Sequence, residues 1–386
     1  MRILHLIHSE GIYGAESILL YLAREQQRRG HEPVIGSIRD PGTPETPFEA
    51  LARSHPLPVV PIRIAPRPTP GVVRSLLRAV RTVAPDILHS HGYKANILLG
   101  PLPRRLRGPM LSTLHGWTAA RALSALRVYE QLDRLALRRI DVVVVVTRRM
   151  LQLPVLQTIP PARRLVIENG IPPLAQRLAD LAAAGAAPPP QELVEFVARR
   201  PTLVATGRLS PEKGFRLLLE AFAQANVAAS GKLQLLIVGE GSERERLARQ
   251  IATLRLSDSV RLAGYVEGAD RLLAHAAGFV MSSLTEGMPL VLLEAMQWRV
   301  PILATAVGAI PEILEEGQRG LLVPPGDVAR LADGLLRIAN TGRAFPNAAG
   351  TADRAAAEPY NSARMAERYL SAYDAIQMRD ESARLP

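Results

Sequence analysis

Two doubly wound α/β units in succession, each a parallel sheet covered by helices, are what this sequence predicts. Three observations carry that expectation. The chain has 386 residues, too many for one ordinary hydrophobic core and suited to two. Short β-branched runs alternate with longer amphipathic runs, the pattern of strands and crossover helices in parallel sheets. The alternation breaks once, at an Ala-rich patch and a Pro triplet within residues 174–200, and then resumes.

In the first half the strands read as Ile3–Ile7, Pro33–Ser37, Ile87–His89, Leu111–Leu114, Val142–Thr147 and Arg164–Ile167, with helical stretches such as Ala15–Arg29 and Ala119–Arg139 between them. Residues 174–200 read as a connector or surface insertion. In the second half the strands read as Thr202–Thr206, Gln234–Val238, Val260–Leu262, Gly278–Met281, Ile302–Ala304 and Gly320–Val323. A final amphipathic helix occupies the segment from about 360 to 386. The domains expected are therefore 1–173 and 201–359, flanking the connector.

Composition narrows the function classes. A hydrophobic fraction of 47% is that of a globular chain, and no run approaches the ~20 apolar residues of a membrane span. The N-terminal MRILHLIHSEGIYG reads as a first strand and turn, not a signal peptide. There is no cysteine, which excludes disulfides, thiolate metal sites and cysteine nucleophiles. The net charge of +11 lies entirely in the first half: residues 1–200 hold 27 Lys and Arg against 15 Asp and Glu, the remainder 20 against 21. Such a face suits an anionic membrane surface or a phosphate-bearing acceptor, at about 1 kcal/mol per basic residue near such a membrane. Nucleic acid is not expected, because no aromatic interleaving or helix-turn-helix pattern accompanies the charge.

Several segments carry chemistry. In SSLTEGMPLVLLEAMQWRVPILAT, Glu286 falls in a turn and Glu294 in the second turn of a helix, with Pro289 suited to the first helical position. Two carboxylates beside unpaired helix-start N–H groups suit a polyol bearing phosphate. GRLSPEKGF (Gly207–Phe215) follows a strand and opens a helix, so Arg208 and Lys213 can fold onto one anion, and Gly214 lets backbone approach. IVGEGSERERL repeats the strand, Gly-x-Gly, helix order at Gly239. HSEGIYGAES places Gly11 and Gly14 in the turn between the first strand and first helix. His89 and His91 in DILHSHGYKAN, and His115 in STLHGWT, follow strands. Taken singly, each reads as readily as a satisfied structural histidine.

These segments closely resemble the retaining, nucleotide-sugar-dependent glycosyltransferases of family 4 (glycosyl transferases group 1). Glu286 and Glu294 match the family's E-x7-E signature, and GRLSPEKG its G-R-L-x-x-x-K-G. ATAVGAIPEIL and GLLVPPGD also match. The resemblance implies the GT-B fold, two Rossmann-like domains facing across a cleft, with the terminal helix returning to pack on the first. It implies that Arg208 and Lys213 bind the nucleotide diphosphate and that Glu286 contacts donor-sugar hydroxyls. Gly287, Met288 and Pro289 line sugar and phosphate, while Glu294 accepts both ribose hydroxyls. Gly207 and Gly239 belong to the donor-site wall, and Gly14 faces the donor phosphate. His115 lies against the donor sugar. Glu16, His91 and Lys94 are read as acceptor-side. The sequence departs from the pattern at Gln297-Trp298-Arg299, where small residues are usual, and at Ile12-Tyr13, where glycine is usual.

The function implied is transfer of a hexose-type sugar from a nucleoside-diphosphate sugar to a hydroxyl of a saccharide or lipid-linked acceptor, with retention, in cell-surface polysaccharide or glycolipid assembly. Retention by double displacement needs a carboxylate pair about 5–5.5 Å apart. The resemblance supplies none on the reacting face, so front-face attack with the departing diphosphate taking the proton is implied. Neither metal nor cofactor is expected, since no Asp-x-Asp or His/Asp cluster has ligand spacing. The setting expected is cytoplasmic, peripheral on the inner membrane. The alternatives are an epimerase or phosphorylase of the same fold, or a non-catalytic nucleotide- or polyanion-binding protein. A dehydrogenase is disfavoured because the first turn lacks Gly-x-Gly-x-x-Gly, and no Gly-x-Ser-x-Gly elbow supports serine hydrolysis.

Overall fold

The computed structural model describes residues 1–9, 11–65, 69–116, 125–341 and 358–382. Part of the expected helix Ala119–Arg139 and the last residues of the chain lie outside them. The chain divides into two compact units, one formed by residues up to Pro172 together with the segment from Tyr360 onward, the other by Pro173–Pro359.

The first unit is a seven-stranded sheet of β1 (Arg2–His8), β2 (Glu32–Arg39), β3 (Val59–Arg63), β4 (Ile87–Ser90), β5 (Met110–Leu114), β6 (Val142–Val145) and β7 (Arg164–Val166). Its order is β3-β2-β1-β4-β5-β6-β7 and every pairing is parallel. β3 was not expected. Pro61 interrupts its run, yet it lies on an edge strand opposite Ser37, where a missing N–H costs no central ladder bond.

Strand parity sorts the faces. Leu4 and Leu6 of β1 enter one apolar core, with Leu88 and Leu114, while Ile7 enters another on the opposite side with Leu19 and Ile35. His5 shares the Ile7 face, and the β1–β4 register sets it beside His89. The helix Gly14–Arg28 covers this face, and the terminal helix Ser362–Ser382 packs against that helix, burying Tyr369 and Tyr373 completely.

The second unit is a six-stranded parallel sheet of β8 (Thr202–Thr206), β9 (Gln234–Val238), β10 (Val260–Gly264), β11 (Gly278–Met281), β12 (Ile302–Thr305) and β13 (Leu321–Val323), in the order β10-β9-β8-β11-β12-β13. The stretch 174–200 is a correction to the expected connector. Leu174–Ala183 is a helix packed on the helix Leu290–Trp298, and Gln191–Arg199 is a helix against β8 that buries Leu193 and Val197. The Ala and Pro content hid a short apolar stripe at helical spacing.

In both sheets the strand order reverses once, between β1 and β4 and between β8 and β11. Ligands of doubly wound sheets bind beyond the carboxyl ends of the strands at that reversal.

Candidate active site

In the second unit the loops leaving β8 and β11 carry Lys213 and Glu286 to that reversal. Lys213 Nζ lies 2.6 Å from Glu286 Oε1, and Ser283 Oγ donates to the same oxygen at 2.6 Å. The loops are tied together through backbone: Ser282 Oγ donates to the Lys213 carbonyl at 3.0 Å and Leu284 N to the Glu212 carbonyl at 2.8 Å. The loop after β12 closes over them, with Ala309 N donating to the Gly287 carbonyl at 2.9 Å. Several of the glycines are required. Gly214 has φ +65°, and a Cβ there would sit 2.1 Å from the Ser282 carbonyl oxygen; at Gly239, φ +144°, it would sit 1.9 Å from that of Gly207. Gly207 itself rests against the Lys213 stem, where a Cβ would find ordinary contact at 3.5 Å.

The expected convergence of Arg208 and Lys213 is replaced by two separate ion pairs. Arg208 Nη2 meets Glu212 Oε1 at 2.9 Å with about half its side chain exposed (52%), while Lys213 is held by Glu286. Pro289 caps the helix Leu290–Trp298 from outside it rather than starting it, one residue from expectation. Met288 is buried beneath the turn.

Glu294 faces different partners from Glu286. Burial raises its carboxyl well above the usual carboxylate range; Arg177 opposes that shift and Asp270 reinforces it. Arg177 Nη1 is 3.9 Å from Glu294 and 2.8 Å from Asp270, and its Nε and Nη2 donate to Gln297 Oε1 at 3.1 and 3.0 Å. Trp298 Nε1 donates to Asp270 at 2.8 Å. The departure at Gln297-Trp298-Arg299 thus clamps the helix Leu174–Ala183 in place, and Arg299 ends the Glu294 helix in the left-handed conformation, φ 55°.

In the first unit a hollow of about 240 Å³ beyond β1, β4 and β5 is lined by His8, His91, Lys94, His115 and Asp133, among others. Lys94 is 3.6 Å from Asp40. Asp133 was not anticipated. It is buried, accepts from Asn96 Nδ2 at 2.9 Å, and burial pushes its carboxyl up to about 6 against that bond. The signal for it in sequence is a carboxylate at helical spacing from Tyr129, Ala136 and Leu137. Glu16 is used locally instead of at the hollow: its carboxylate accepts from Tyr13 N at 3.0 Å and caps the helix Gly14–Arg28. Gly14, the first residue of that helix, has open space where a Cβ would stand.

His5, His89 and His91 come within 4.8 Å of one another through their ring nitrogens, a grouping their sequence spacing conceals. All six nitrogens are already bonded. His5 meets His91 at 3.0 Å and Gln26 Oε1 at 2.8 Å; His89 meets Tyr373 Oη at 2.6 Å and Thr113 Oγ1 at 2.8 Å; His91 meets His115 Nε2 at 3.1 Å. Burial lowers all four histidines, His5 and His115 to about 4, so the rings are neutral at pH 7.

Comparison with known proteins agrees with this geometry. Residues 12–173 match the family described as "Glycosyltransferase Family 4", and residues 200–341 match "Glycosyl transferases group 1". The chain is 29% identical over 364 residues to the 2-deoxystreptamine N-acetyl-D-glucosaminyltransferase of Streptomyces fradiae, covering 83% of this chain and 81% of that one. Similarity to the N-acetyl-alpha-D-glucosaminyl L-malate synthase of Bacillus anthracis is 29% over 168 residues, 44% of either chain. Among solved structures, HepE of Anabaena in complex with UDP superposes with a TM-score of 0.77 at 21% identity, over 97% of this chain and 100% of that one. Sucrose-phosphate synthase of Thermosynechococcus elongatus superposes with a TM-score of 0.76 at 19% identity, over 98% and 99%. The chain is a glycosyltransferase that belongs to group 1 and family 4 and is built on the GT-B fold.

Proposed function

We propose that the protein moves a hexose-type sugar from a nucleoside-diphosphate sugar to a hydroxyl of a saccharide or lipid-linked acceptor, with retention at the anomeric carbon. The carrying observation is the Lys213–Glu286 pair at the strand-order reversal of the second sheet, framed by loops whose glycines admit close backbone approach. The second unit holds the donor: Lys213 and Arg208 the diphosphate, Glu286 the sugar hydroxyls, Glu294 the ribose. A diphosphate would draw Lys213 from Glu286 and free that carboxylate to accept from the sugar. As the bond from the anomeric carbon to the diphosphate oxygen breaks, the acceptor oxygen bonds to the same face and its proton passes to the departing phosphate. The protein contributes charge stabilisation and positioning, with no metal called for. In support, HepE has been solved with UDP-glucose, and relatives include a lipopolysaccharide core glycosyltransferase of Rhizobium meliloti and an amylovoran biosynthesis glycosyltransferase of Erwinia amylovora.

A metal-free thermal-shift panel of UDP, GDP, ADP and their sugar conjugates tests the reading. A ligand at a hundredfold its Kd adds ~2.7 kcal/mol, a rise of several degrees, expected from one nucleotide series and absent in Glu294→Ala. No rise from any of them sinks the assignment.

The first unit also offers a surface for an anionic membrane. Val128, Leu132 and Leu135 are exposed on one face of the helix Ala125–Leu137, at 62%, 37% and 58%. The basic Arg138 and Arg139 follow that helix, and Arg107, which follows Arg105 and the exposed Leu106 in sequence, donates to the Arg139 carbonyl at 2.9 Å. Among the described residues no helix is long and apolar enough to cross a membrane. Co-sedimentation with phosphatidylglycerol vesicles, falling with salt and absent with phosphatidylcholine alone, is the expected result; equal sedimentation with both removes the membrane role.

A further inference from the structure

We propose that Gln26 is a positioning residue: through His5 and His91 it fixes His115 as a hydrogen-bond acceptor for a sugar hydroxyl in the hollow of the first unit. The inference rests on the transferase reading above for its ligand, and on geometry alone for the relay. A neutral imidazole has one N–H and one lone pair, so each bond along a chain of such rings dictates the next. Gln26 Oε1 carries no hydrogen, hence His5 Nε2 donates to it at 2.8 Å. His5 Nδ1 is then a bare lone pair and accepts from His91 Nε2 at 3.0 Å. His91 Nδ1 in turn accepts from His115 Nε2 at 3.1 Å. What remains is His115 Nδ1, a lone pair, buried and without a partner among the described residues, on a ring that lines the hollow.

The far side of the amide locks the orientation. Gln26 Nε2 donates to Tyr373 Oη at 3.3 Å, Tyr373 gives its hydrogen to His89 Nδ1 at 2.6 Å, and His89 Nε2 donates to Thr113 Oγ1 at 2.8 Å. Rotating the amide by half a turn would reverse every bond and leave an N–H at His115. It would also demand an N–H···N contact of 2.8 Å to His5 and an O–H···O contact of 3.3 Å from Tyr373, one compressed and one stretched beyond the usual O–H···O range. The observed distances fit the first orientation. Protonating His5 or His91 would set two N–H groups face to face, so the buried middle of the relay also resists charging.

An acceptor at this point discriminates by hydroxyl. A ligand with O–H at the contacted carbon satisfies His115 Nδ1, whereas a deoxy or O-methyl analogue leaves it unpaired.

The test has two arms on the intact protein. Long-range ¹H–¹⁵N spectra of the histidine rings read tautomers directly and need no ligand. The expected result is Nε2–H for His5, His91 and His115 in the parent, and a shift of His115 toward Nδ1–H in Gln26→Met, which keeps volume but offers no amide. Tyr373→Phe, which keeps the ring packing and frees the amide, should give a smaller shift in the same sense. In the kinetic arm Gln26→Met lowers kcat/KM for transfer about tenfold, the worth of one hydrogen bond, while the Kd for the nucleotide that stabilises the parent is unchanged. A parent His115 protonated on Nδ1, or a Gln26→Met that keeps both tautomers and kcat/KM, overturns the proposal. A parent that binds none of UDP, GDP and ADP overturns the transferase reading instead, and the spectra tell the two failures apart.

Discussion

Lys213→Ala is expected to lower kcat/KM by ~10²–10³, the cost of losing one preorganised group aimed at charge that develops in the transition state. The argument rests on where Lys213 stands. Its ammonium lies at the strand-order reversal of the second sheet, 2.6 Å from Glu286, with only about a fifth of the side chain exposed (20%). A cation so placed is already desolvated in part, so its attraction for a diphosphate exceeds that of a surface lysine. The alanine variant also leaves Glu286, 9% exposed, without its counter-charge. That charge would repel the incoming diphosphate, and a double variant with Glu286→Gln should therefore recover binding of the donor nucleotide but not turnover. Steady-state rates and titrations with the nucleotide that stabilises the parent measure both, and a Lys213→Ala enzyme that turns over like the parent rules the assignment out.

Acid should destabilise the first unit well before the second. His5 and His115 titrate near 4 in the folded chain and near 6.5 when unfolded, both because burial disfavours the imidazolium. The unfolded chain therefore binds more protons below 6.5, and stability falls as pH drops from 6.5 toward 4. At ~1.4 kcal/mol per pH unit, each of the two loses of the order of 3 kcal/mol across that window. His89 and His91 shift in the same direction. Asp133 opposes them: its folded value near 6 lies above the unfolded 3.8, so it favours the folded state as pH falls. Glu294, also raised, acts likewise in the second unit. One carboxyl against four imidazoles leaves a net loss of several kcal/mol, a large share of a typical ~5–15 kcal/mol. Pulse proteolysis in urea at pH 7 and pH 5, with fragments assigned to each unit by mass, should show the first unit's midpoint falling and the second's holding or rising. Parallel midpoints would remove the histidine cluster as the cause.

Much of this was legible in the sequence, because parallel strands buried on both faces read as β-branched runs and the ligand loops carry glycines that no other residue can replace. Gly214 and Lys213, Glu286 and Glu294 all stand on the second unit's site loops or the helix that follows them. The failures share a physical reason. β3 is missing from the expected strands and the Ala- and Pro-rich stretch 174–200 reads as a connector because local composition says nothing of an edge position or of a neighbouring sheet. The histidines looked independent because residues 5, 89, 91 and 115 are far apart in sequence; only the β1–β4–β5 order and odd-numbered parity place them on one face. Arg177, which approaches Glu294 from a supposed connector, was invisible for the same reason.

The first unit is assembled from both ends of the chain, with the second unit interposed. During synthesis the β1–β4–β5 sheet emerges early, but Tyr369 and Tyr373, which bond Thr113, His89 and Gln26, emerge last. At ~5–20 residues per second the intervening segment takes on the order of 10–40 s to translate. For that interval the tyrosine-facing atoms of Gln26, His89 and Thr113 have only water to satisfy them, while the second unit is free to fold by itself. The relay itself is made early, but the tyrosines that lock its amide arrive only after the second unit has been synthesised.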